Sequence, residues 1–187
     1  LCGRVYVGCV ATAMGQIMKY HDYPQNGAGS HTYNAGTYGS LTSNFGNATY
    51  NWGNMPNIVN SSNSDVAQLL YHCAVSVDMD FGIDGSGAYT SDARNSLVNY
   101  FNYSSSADMK NKNQYTTNQW INLLKDQLDN SKPMLYRGDG PSGGHAFVCD
   151  GYNGSNYFHF NWGWSGSYDG YFSVSNLNPG TSTFNQN

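Results

Sequence analysis

The spacing of apolar residues changes once along this chain, at Pro133. Before that proline, apolar residues recur every three or four positions in four segments, which is the spacing of one buried helix face. After it, short segments alternate apolar and polar residues between glycine-rich turns, which is typical of antiparallel strands. Because the helices precede the strands rather than alternate with them, the sequence predicts an α+β fold.

Length and charge limit the possible functions. The chain has 187 residues, and we expect one domain over 1–187, with helices to about 130 and the sheet from about 131. The formal charge of −4 gives no reason to expect nucleic acid as a partner, and no apolar run could span a bilayer. Scarce lysine and many Tyr, Asn, Ser and Gly residues favour an extracellular protein. The sequence lacks an initiator Met, so we expect Leu1 to be a processed or trimmed start.

The first helical segment, residues 8–21, carries a cysteine in its first turn. Its predicted buried face consists of Val10, Ala13, Met14, Ile17 and Tyr20. Ala11 and Gly15 lie off this face and leave room for another segment to approach. Free N–H groups and the helix dipole favour a thiolate at Cys9. On this segment alone, a buried structural cysteine is an equal alternative.

The other cysteines are Cys2, Cys73 and Cys149. No C-x-x-C pair occurs and no histidine stands at metal-ligand spacing from them, so a zinc site is not expected. Cys73 lies on an apolar helix face and Cys149 in an apolar strand, and both are interpreted as buried. Whether Cys2 forms a disulfide with one of them in an oxidising compartment is left open.

The region after Pro133 contains a glycine-rich loop and an Asn-Gly hairpin signal. The expected strands are 134–137, 145–150, 156–162 and 171–174, with the glycine-rich loop at 138–144. A turn centred on Asn153, or between Asn153 and Gly154, places Asn161 or Trp162 opposite His145. An Asn carbonyl there would accept from one imidazole nitrogen and leave the other for a thiol.

Cys9, His145 and Asn161 follow the chain order of papain-like catalysis, and the spacing from Cys to His falls within the roughly 130–150 residues typical of it. No Gln stands in residues 1–8 to donate to an oxyanion. His145 is alternatively a strand histidine in an aromatic core, and residues 161–164 are alternatively a sugar-stacking patch of a carbohydrate-binding module. Together, the helix cysteine, the Gly-Gly-His strand and the Asn-Trp pair favour catalysis.

Three separated motifs resemble the streptopain family of secreted bacterial cysteine proteases. They are GCVATA at 8–13 with QIMKYH at 16–21, GGHAFV at 143–148 with DG at 150–151, and NWGW at 161–164. The resemblance implies a papain-like fold, with the nucleophile helix packed on a C-terminal antiparallel sheet, and endopeptidase activity. It implies that Cys9 is the nucleophile, His145 the general base and acid, Asn161 the residue that orients His145, and Trp162 a shield against water. The implied substrate-binding residues are Ser86, Gly87, Gly144 and Trp164.

The resemblance also implies secretion and synthesis as a precursor, whose inhibitory prodomain is absent from this chain. It implies protein or peptide substrates, a monomer, and no metal or organic cofactor. Arg137 stands where the streptococcal member has Gln, so subsite preference does not transfer. A cysteine amidase or transpeptidase on the same fold is the alternative enzyme.

Overall fold

The computed structural model describes residues 4–141 and 143–185. The chain forms two compact units, Leu1–Met109 and Lys110–Asn187. Helices and a two-stranded hairpin form the first unit, and a helix with a four-stranded antiparallel sheet forms the second. This confirms the α+β class, while the division into one domain stays a prediction. Over the described residues, no helix has the length and apolar character needed to cross a membrane.

The first unit is built around α1, which packs on two later helices. Its elements are α1 (Cys9–His21), β1 (Ser30–Asn34), β2 (Ser40–Asn44), α2 (Ser64–Ser76) and α3 (Thr90–Tyr100). Between the hairpin and α2 the chain is polar, yet Tyr50 and Trp52 are buried in it. This stretch is therefore packed against the helices although it contains little regular structure.

α1 is buried around most of its circumference rather than on one face. Its buried residues are Val10, Ala11, Ala13, Met14, Gly15, Ile17 and Met18. Tyr20, which was predicted to share the buried face, is 57% exposed. A Cβ on Gly15 would lie 2.7 Å from Leu70 Cδ2, so a small residue is needed where α2 meets α1. Contact with two helices, α2 and α3, explains why burial extends beyond one stripe.

The second unit places one helix on a four-stranded sheet. Its elements are α4 (Thr117–Asp129), β3 (Met134–Gly140), β4 (Gly143–Tyr152), β5 (Phe158–Asn161) and β6 (Gly170–Phe172). The strands pair in the order β3-β4-β5-β6. A capping box begins α4: the Gln119 N–H donates to Thr116 Oγ1, and the Thr116 N–H donates to Gln119 Oε1. α4 packs on β4, so this fourth helix belongs with the sheet.

The glycine-rich segment before His145, predicted to be a loop, is mostly strand. Residues 138–140 of β3 pair with 143–145 of β4, with Gly138 opposite His145. A Cβ on Gly138 would collide with the main chain of Phe184, and one on Gly140 with that of Thr183. Gly138 and Gly140 are therefore required by a close approach inside the fold.

The predicted register between β4 and β5 was wrong. Asn161 pairs with Val148 and not with His145. Trp162 is the next residue, so it does not pair with His145 either. The register is thus displaced by three residues from that of a turn centred on Asn153, and by two residues from that of a turn centred between Asn153 and Gly154.

A wider loop causes the displacement, and a β-bulge reduces it. The connection is longer than a two-residue turn, because the Asn153 N–H donates to the Tyr157 carbonyl at 2.9 Å. The Asn153 side chain also accepts from the Ser155 N–H at 3.0 Å, which stabilises this wider loop. A register shift between Cys149 and Gly151 then adds one residue to β4, as in a β-bulge, and reduces the displacement by one residue.

An aromatic core fills the second unit. Its most deeply buried members include Phe147, Cys149, Phe158, Phe160, Trp162 and Leu177. His145 lies two residues before Phe147, so both side chains leave β4 on the same face. The histidine is therefore presented at the margin of this core.

Candidate active site

Cys9 is the first residue of α1, and the main chain before it fixes where the helix begins. Gly8 has φ 92° and ψ 147°, a conformation that residues with side chains rarely adopt. Its carbonyl accepts from the Thr12 N–H at 3.1 Å and from the Thr12 hydroxyl at 3.0 Å. Among the described residues, no side chain caps the first turn. Its N–H groups therefore suit a negatively charged group near the Cys9 sulfur.

The segment after α2 lies against this helix start. A Cβ on Gly8 would lie 2.5 Å from Met79 Sδ and 3.2 Å from the Ser86 carbonyl oxygen. The Ser86 hydroxyl donates to the Tyr6 carbonyl at 2.6 Å. Ser86, a predicted substrate-binding residue, therefore lies beside the residue that precedes Cys9.

Gly87, the neighbouring candidate, is held by a two-bond bridge to Asp80. The Gly87 N–H donates to the Asp80 carbonyl at 3.1 Å, and the Asp80 N–H donates to the Gly87 carbonyl at 2.9 Å. Over the described chain, no atom lies within 4 Å of the position that a Cβ on Gly87 would take. The surface above Gly87 is therefore open enough for another main chain to pass.

His145, in β4, has one ring nitrogen committed to the protein. Nε2 lies 2.8 Å from the Trp162 carbonyl oxygen. A carbonyl can only accept, so Nε2 carries the hydrogen and Nδ1 of the neutral ring carries the lone pair. Burial lowers the pKa of His145, and the hydrogen bond to Trp162 partly opposes that shift. The imidazole is therefore a neutral base at pH 7 with an assigned tautomer.

Three aromatic rings pack around this imidazole. Trp164 stacks on it with centroids 4.9 Å apart and planes 24° apart. Phe184 lies at 5.2 Å and Phe147 at 5.7 Å, again between ring centroids. Such packing restricts rotation of the imidazole and keeps water from its faces.

Asn161 and Trp162, both predicted to be catalytic, brace the turn after β5. Asn161 Oδ1 accepts from the Gly163 N–H at 2.9 Å. The Trp162 N–H donates to Asp169 Oδ1 at 2.9 Å. The Trp162 ring is fully buried and lies 4.4 Å from the Phe147 ring. These contacts hold the Trp162 carbonyl, and with it the acceptor for the imidazole.

The structure thus gives His145 a main-chain partner where the sequence suggested the Asn161 amide. The ring stacked on the imidazole is that of Trp164, which was predicted to bind substrate. A pattern of side chains cannot reveal a carbonyl acceptor, because every residue carries one. The NWGW motif nevertheless supplied both the carbonyl and the stacked ring.

Gly144, the remaining substrate-binding candidate, is exposed beside a charged pair. It pairs with Asp139 of β3. A Cβ on Gly144 would lie 2.6 Å from Asp139 Oδ1 and 2.9 Å from Arg137 Nη2. These two groups form an ion pair at 2.5 Å, which is partly exposed. Any residue larger than glycine would therefore displace this pair immediately before His145.

Cys73 and Cys149 are fully buried, as predicted. Burial raises the pKa of both thiols far above the ordinary range. Cys9 is partly exposed, and all three are free thiols. Cys2 lies outside the described residues, so the question of its disulfide is not addressed. Within the described ranges, no group of three or more His, Cys, Asp or Glu residues is placed to hold a metal ion.

Sequence reasoning did not find Phe184. It is an isolated aromatic residue in a polar segment, so no hydrophobic pattern around it predicts that it is buried. In the structure it is 7% exposed and contacts His145, Trp162 and Trp164. Only the long-range contacts of the fold reveal its place.

Comparisons with known proteins agree with this arrangement. Residues 1–172 match the sequence model of the peptidase C10 family. Streptopain from Streptococcus pyogenes is 36% identical over 184 residues, covering 92% of this chain and 46% of that protein. The thiol protease/hemagglutinin PrtT from Porphyromonas gingivalis is 38% identical over 186 residues, covering 95% of this chain and 21% of that protein. The chain thus spans about half the length of the streptopain sequences it matches.

Solved structures agree as well. Active wild-type interpain A cysteine protease from Prevotella intermedia superposes with a TM-score of 0.91 at 37% identity, covering 98% of this chain and 81% of that one. A prointerpain A fragment from the same organism gives a TM-score of 0.86 and covers 98% of this chain and 61% of that one. The resemblance to the streptopain family and the α+β, papain-like fold class are both confirmed.

Proposed function

The chain belongs to the peptidase C10 family, and from that premise we propose that it is a cysteine endopeptidase that hydrolyses peptide bonds in proteins. Cys9 is the nucleophile, and His145 is the general base and then the general acid. The observation that carries the proposal is the hydrogen bond from His145 Nε2 to the Trp162 carbonyl. It leaves Nδ1 as the nitrogen that takes the thiol proton.

The first half of the reaction forms an acyl-enzyme. The Cys9 thiol gives its proton to His145 Nδ1, and the thiolate attacks the carbonyl carbon of the scissile bond. Negative charge develops on the substrate carbonyl oxygen, where the Cys9 main-chain N–H and the positive end of the α1 dipole stabilise it. The carbon–nitrogen bond then breaks as the imidazolium gives its proton to the departing amine.

The second half releases the acid product. A water molecule gives a proton to His145 Nδ1 while its oxygen attacks the thioester carbon. The carbon–sulfur bond breaks, and Cys9 is regenerated as the departing sulfur is reprotonated by the imidazolium. Throughout, the Nε2–H group of His145 keeps its hydrogen bond to the Trp162 carbonyl oxygen. This bond stabilises the imidazolium when it forms.

The other site candidates have supporting roles in this proposal. Asn161 and Trp162 hold the turn that presents the carbonyl acceptor. Trp164 excludes water from the imidazole and also contacts substrate. Ser86, Gly87 and Gly144 contact the substrate main chain. The exposed surface at Gly87 and Gly144 supports this assignment.

We also propose that the protease is secreted and made as a precursor. The solved prointerpain A fragment supports an inhibitory prodomain for this chain, and the composition supports an extracellular site of action. The partners are then its protein substrates and its own prodomain, and the mature enzyme acts as a monomer without nucleic acid. Size-exclusion chromatography with light scattering tests the monomer, and a dimer peak would contradict it.

The deciding experiment uses a thiol-directed epoxide followed by mass spectrometry of the labelled peptides. We expect one label, on Cys9, near neutral pH, with loss of activity on a generic protein substrate in proportion to labelling. Cys9→Ala abolishes both labelling and hydrolysis. Cys73→Ala, which removes a buried thiol, is the matched control and keeps both.

Hydrolysis retained in Cys9→Ala, or equal labelling of all the thiols, would contradict the proposal. An added amine separates hydrolysis from the transpeptidase alternative. Capture of the acyl group by the amine in preference to water would favour the transpeptidase.

A further inference from the structure

The segment 177–185, which we call the clasp, closes on itself beside the sheet. The Phe184 N–H donates to the Leu177 carbonyl at 2.9 Å. The Leu177 N–H donates to Asn185 Oδ1 at 2.5 Å. Leu177 is fully buried in the aromatic core. The clasp is therefore anchored at Leu177 and carries Phe184 at a fixed position.

The clasp packs on β3, on the face of the sheet to which the His145 side chain of β4 points. Gly138 pairs with His145, so a Cβ on Gly138 would point to the same face. That Cβ would lie 2.7 Å from the Phe184 Cβ and would collide with the Phe184 carbonyl oxygen. At Gly140, two residues on, a Cβ would collide with the Thr183 carbonyl oxygen. Two glycines in one strand thus leave the space that the clasp occupies.

Phe184 is packed into the rings around the imidazole. Its centroid lies 5.2 Å from His145, 5.8 Å from Trp162 and 6.2 Å from Trp164. The Trp162 ring belongs to the residue whose carbonyl accepts from His145. Phe184 therefore contacts both partners of the bond that sets the tautomer.

We infer that Phe184 is a positioning residue for His145, and that the clasp holds the imidazole on the Trp162 carbonyl. The inference deepens the proposed function and rests on it for the catalytic consequence alone. Without the Phe184 ring, a void opens beside the imidazole, which can then rotate away from the carbonyl and admit water. Misorientation of a general base lowers the rate of the chemical step more than it weakens substrate binding.

The direct test is an NMR titration of the His145 imidazole in a Cys9→Ala background, where no thiol at position 9 titrates with it. Burial lowers the pKa of His145 more than the hydrogen bond to the Trp162 carbonyl raises it. Hydration in Phe184→Ala therefore raises that pKa toward the ordinary value of about 6.5, and loss of the hydrogen bond offsets only part of the rise. The charged groups around the site are Asp169, which accepts from the Trp162 N–H, and the Arg137–Asp139 pair on the other face of β3. They are the same in every variant.

Three further variants separate positioning from general packing. Phe172→Ala removes another ring that packs on Trp162, at 5.2 Å, and we expect it to lower stability without moving the pKa of His145. Gly140→Ala displaces the clasp without removing a ring, and we expect the same upward shift as in Phe184→Ala. Phe184→Leu keeps an apolar side chain, and the titration and the kinetics use it in place of Phe184→Ala if that variant does not fold.

Kinetics give the second readout. We expect Phe184→Ala to lower kcat about tenfold, with KM changed less than about twofold. An unchanged His145 pKa and unchanged kcat in folded Phe184 and Gly140 variants would overturn the inference. A pKa shift equal to that of Phe172→Ala would also overturn it. If the protein lacks peptidase activity altogether, the titration still decides whether Phe184 positions the imidazole.

Discussion

The two candidate catalytic side chains are held in place by different means. Cys9 is positioned by the main chain, since it begins a helix behind a glycine with φ 92°. His145 is positioned by side chains and a carbonyl, through the Trp162 oxygen and the rings of Trp164 and Phe184. The first arrangement is local in sequence, whereas the second is assembled from segments about 20 to 40 residues apart.

This difference determines which changes each site tolerates. A helix start is retained when neighbouring apolar side chains vary, but it depends on one backbone conformation. A ring-packed imidazole depends on the volume around it, because a void in a rigid core is only partly refilled. Substitutions that alter backbone conformation and substitutions that alter volume therefore test the two sites separately.

The largest expected effect is that of Trp162→Ala in the ring-packed site. Trp162 is fully buried among Phe147, Phe160 and Phe172. We expect the free energy of unfolding to fall by about 3–5 kcal/mol. Urea denaturation followed by circular dichroism measures it. Trp162→Phe is the conservative control, and a loss below about 1 kcal/mol for the alanine variant would remove the contrast between the two sites.

Gly8→Ala tests the backbone-positioned site and has a smaller expected effect. The new Cβ meets Met79 at a positive φ, so we expect roughly 1–3 kcal/mol of destabilisation and slower labelling of Cys9 by the epoxide. Gly36→Ala is the matched control, since Gly36 also has a positive φ but no atom of the described chain lies within 4 Å of its Cβ position. Normal labelling in a folded Gly8→Ala variant would show that the glycine does not position Cys9.

The smallest expected effect compares buried histidines of the two units. His72 Nδ1 lies at hydrogen-bond distance, 2.9 Å, from the Tyr50 hydroxyl oxygen, and burial raises the pKa of Tyr50 and keeps that hydroxyl protonated. Burial lowers the pKa of His72 as it does that of His145. The unfolded chain therefore binds more protons below about pH 6.5, and stability falls as the pH drops from there through the folded-state pKa.

Urea denaturation at a series of pH values measures this slope. His72→Gln, which keeps a hydrogen-bond partner for Tyr50 without titrating, should flatten the dependence between about pH 5 and 7. A slope identical to that of the parent protein would show that His72 does not contribute to it.

Much of the fold follows from local patterns. α4 begins at Thr117, because Thr116 and Gln119 form its cap within four residues. Cys73 and Cys149 were expected to be buried, because each is surrounded by apolar residues at the right period. Cys9 was expected at a helix start, because the helix signal surrounds it.

The geometry around His145 did not follow from such patterns. The β4–β5 register depends on a bulge after Cys149 and on hydrogen bonds made by Asn153, neither of which changes the alternation of apolar residues. The glycines of β3 were predicted as a loop because the clasp that requires them is about 40 residues away. Phe184 was missed for the same reason. A small residue in a sequence can indicate that another segment packs closely against it, but the sequence does not show which segment that is.

The burial of Cys73 and Cys149 has a consequence for damage by oxidants. Peroxide reacts with thiolates, and burial raises the pKa of these two thiols so far that they stay protonated at neutral pH. Among the described cysteines, attack then falls on the partly exposed Cys9. Under the proposed function, a sulfenic acid at Cys9 would inactivate the protein while the core stays reduced, and a small thiol would restore its activity. A protease with this distribution of thiols would be inactivated and reactivated by the redox state of its surroundings without unfolding.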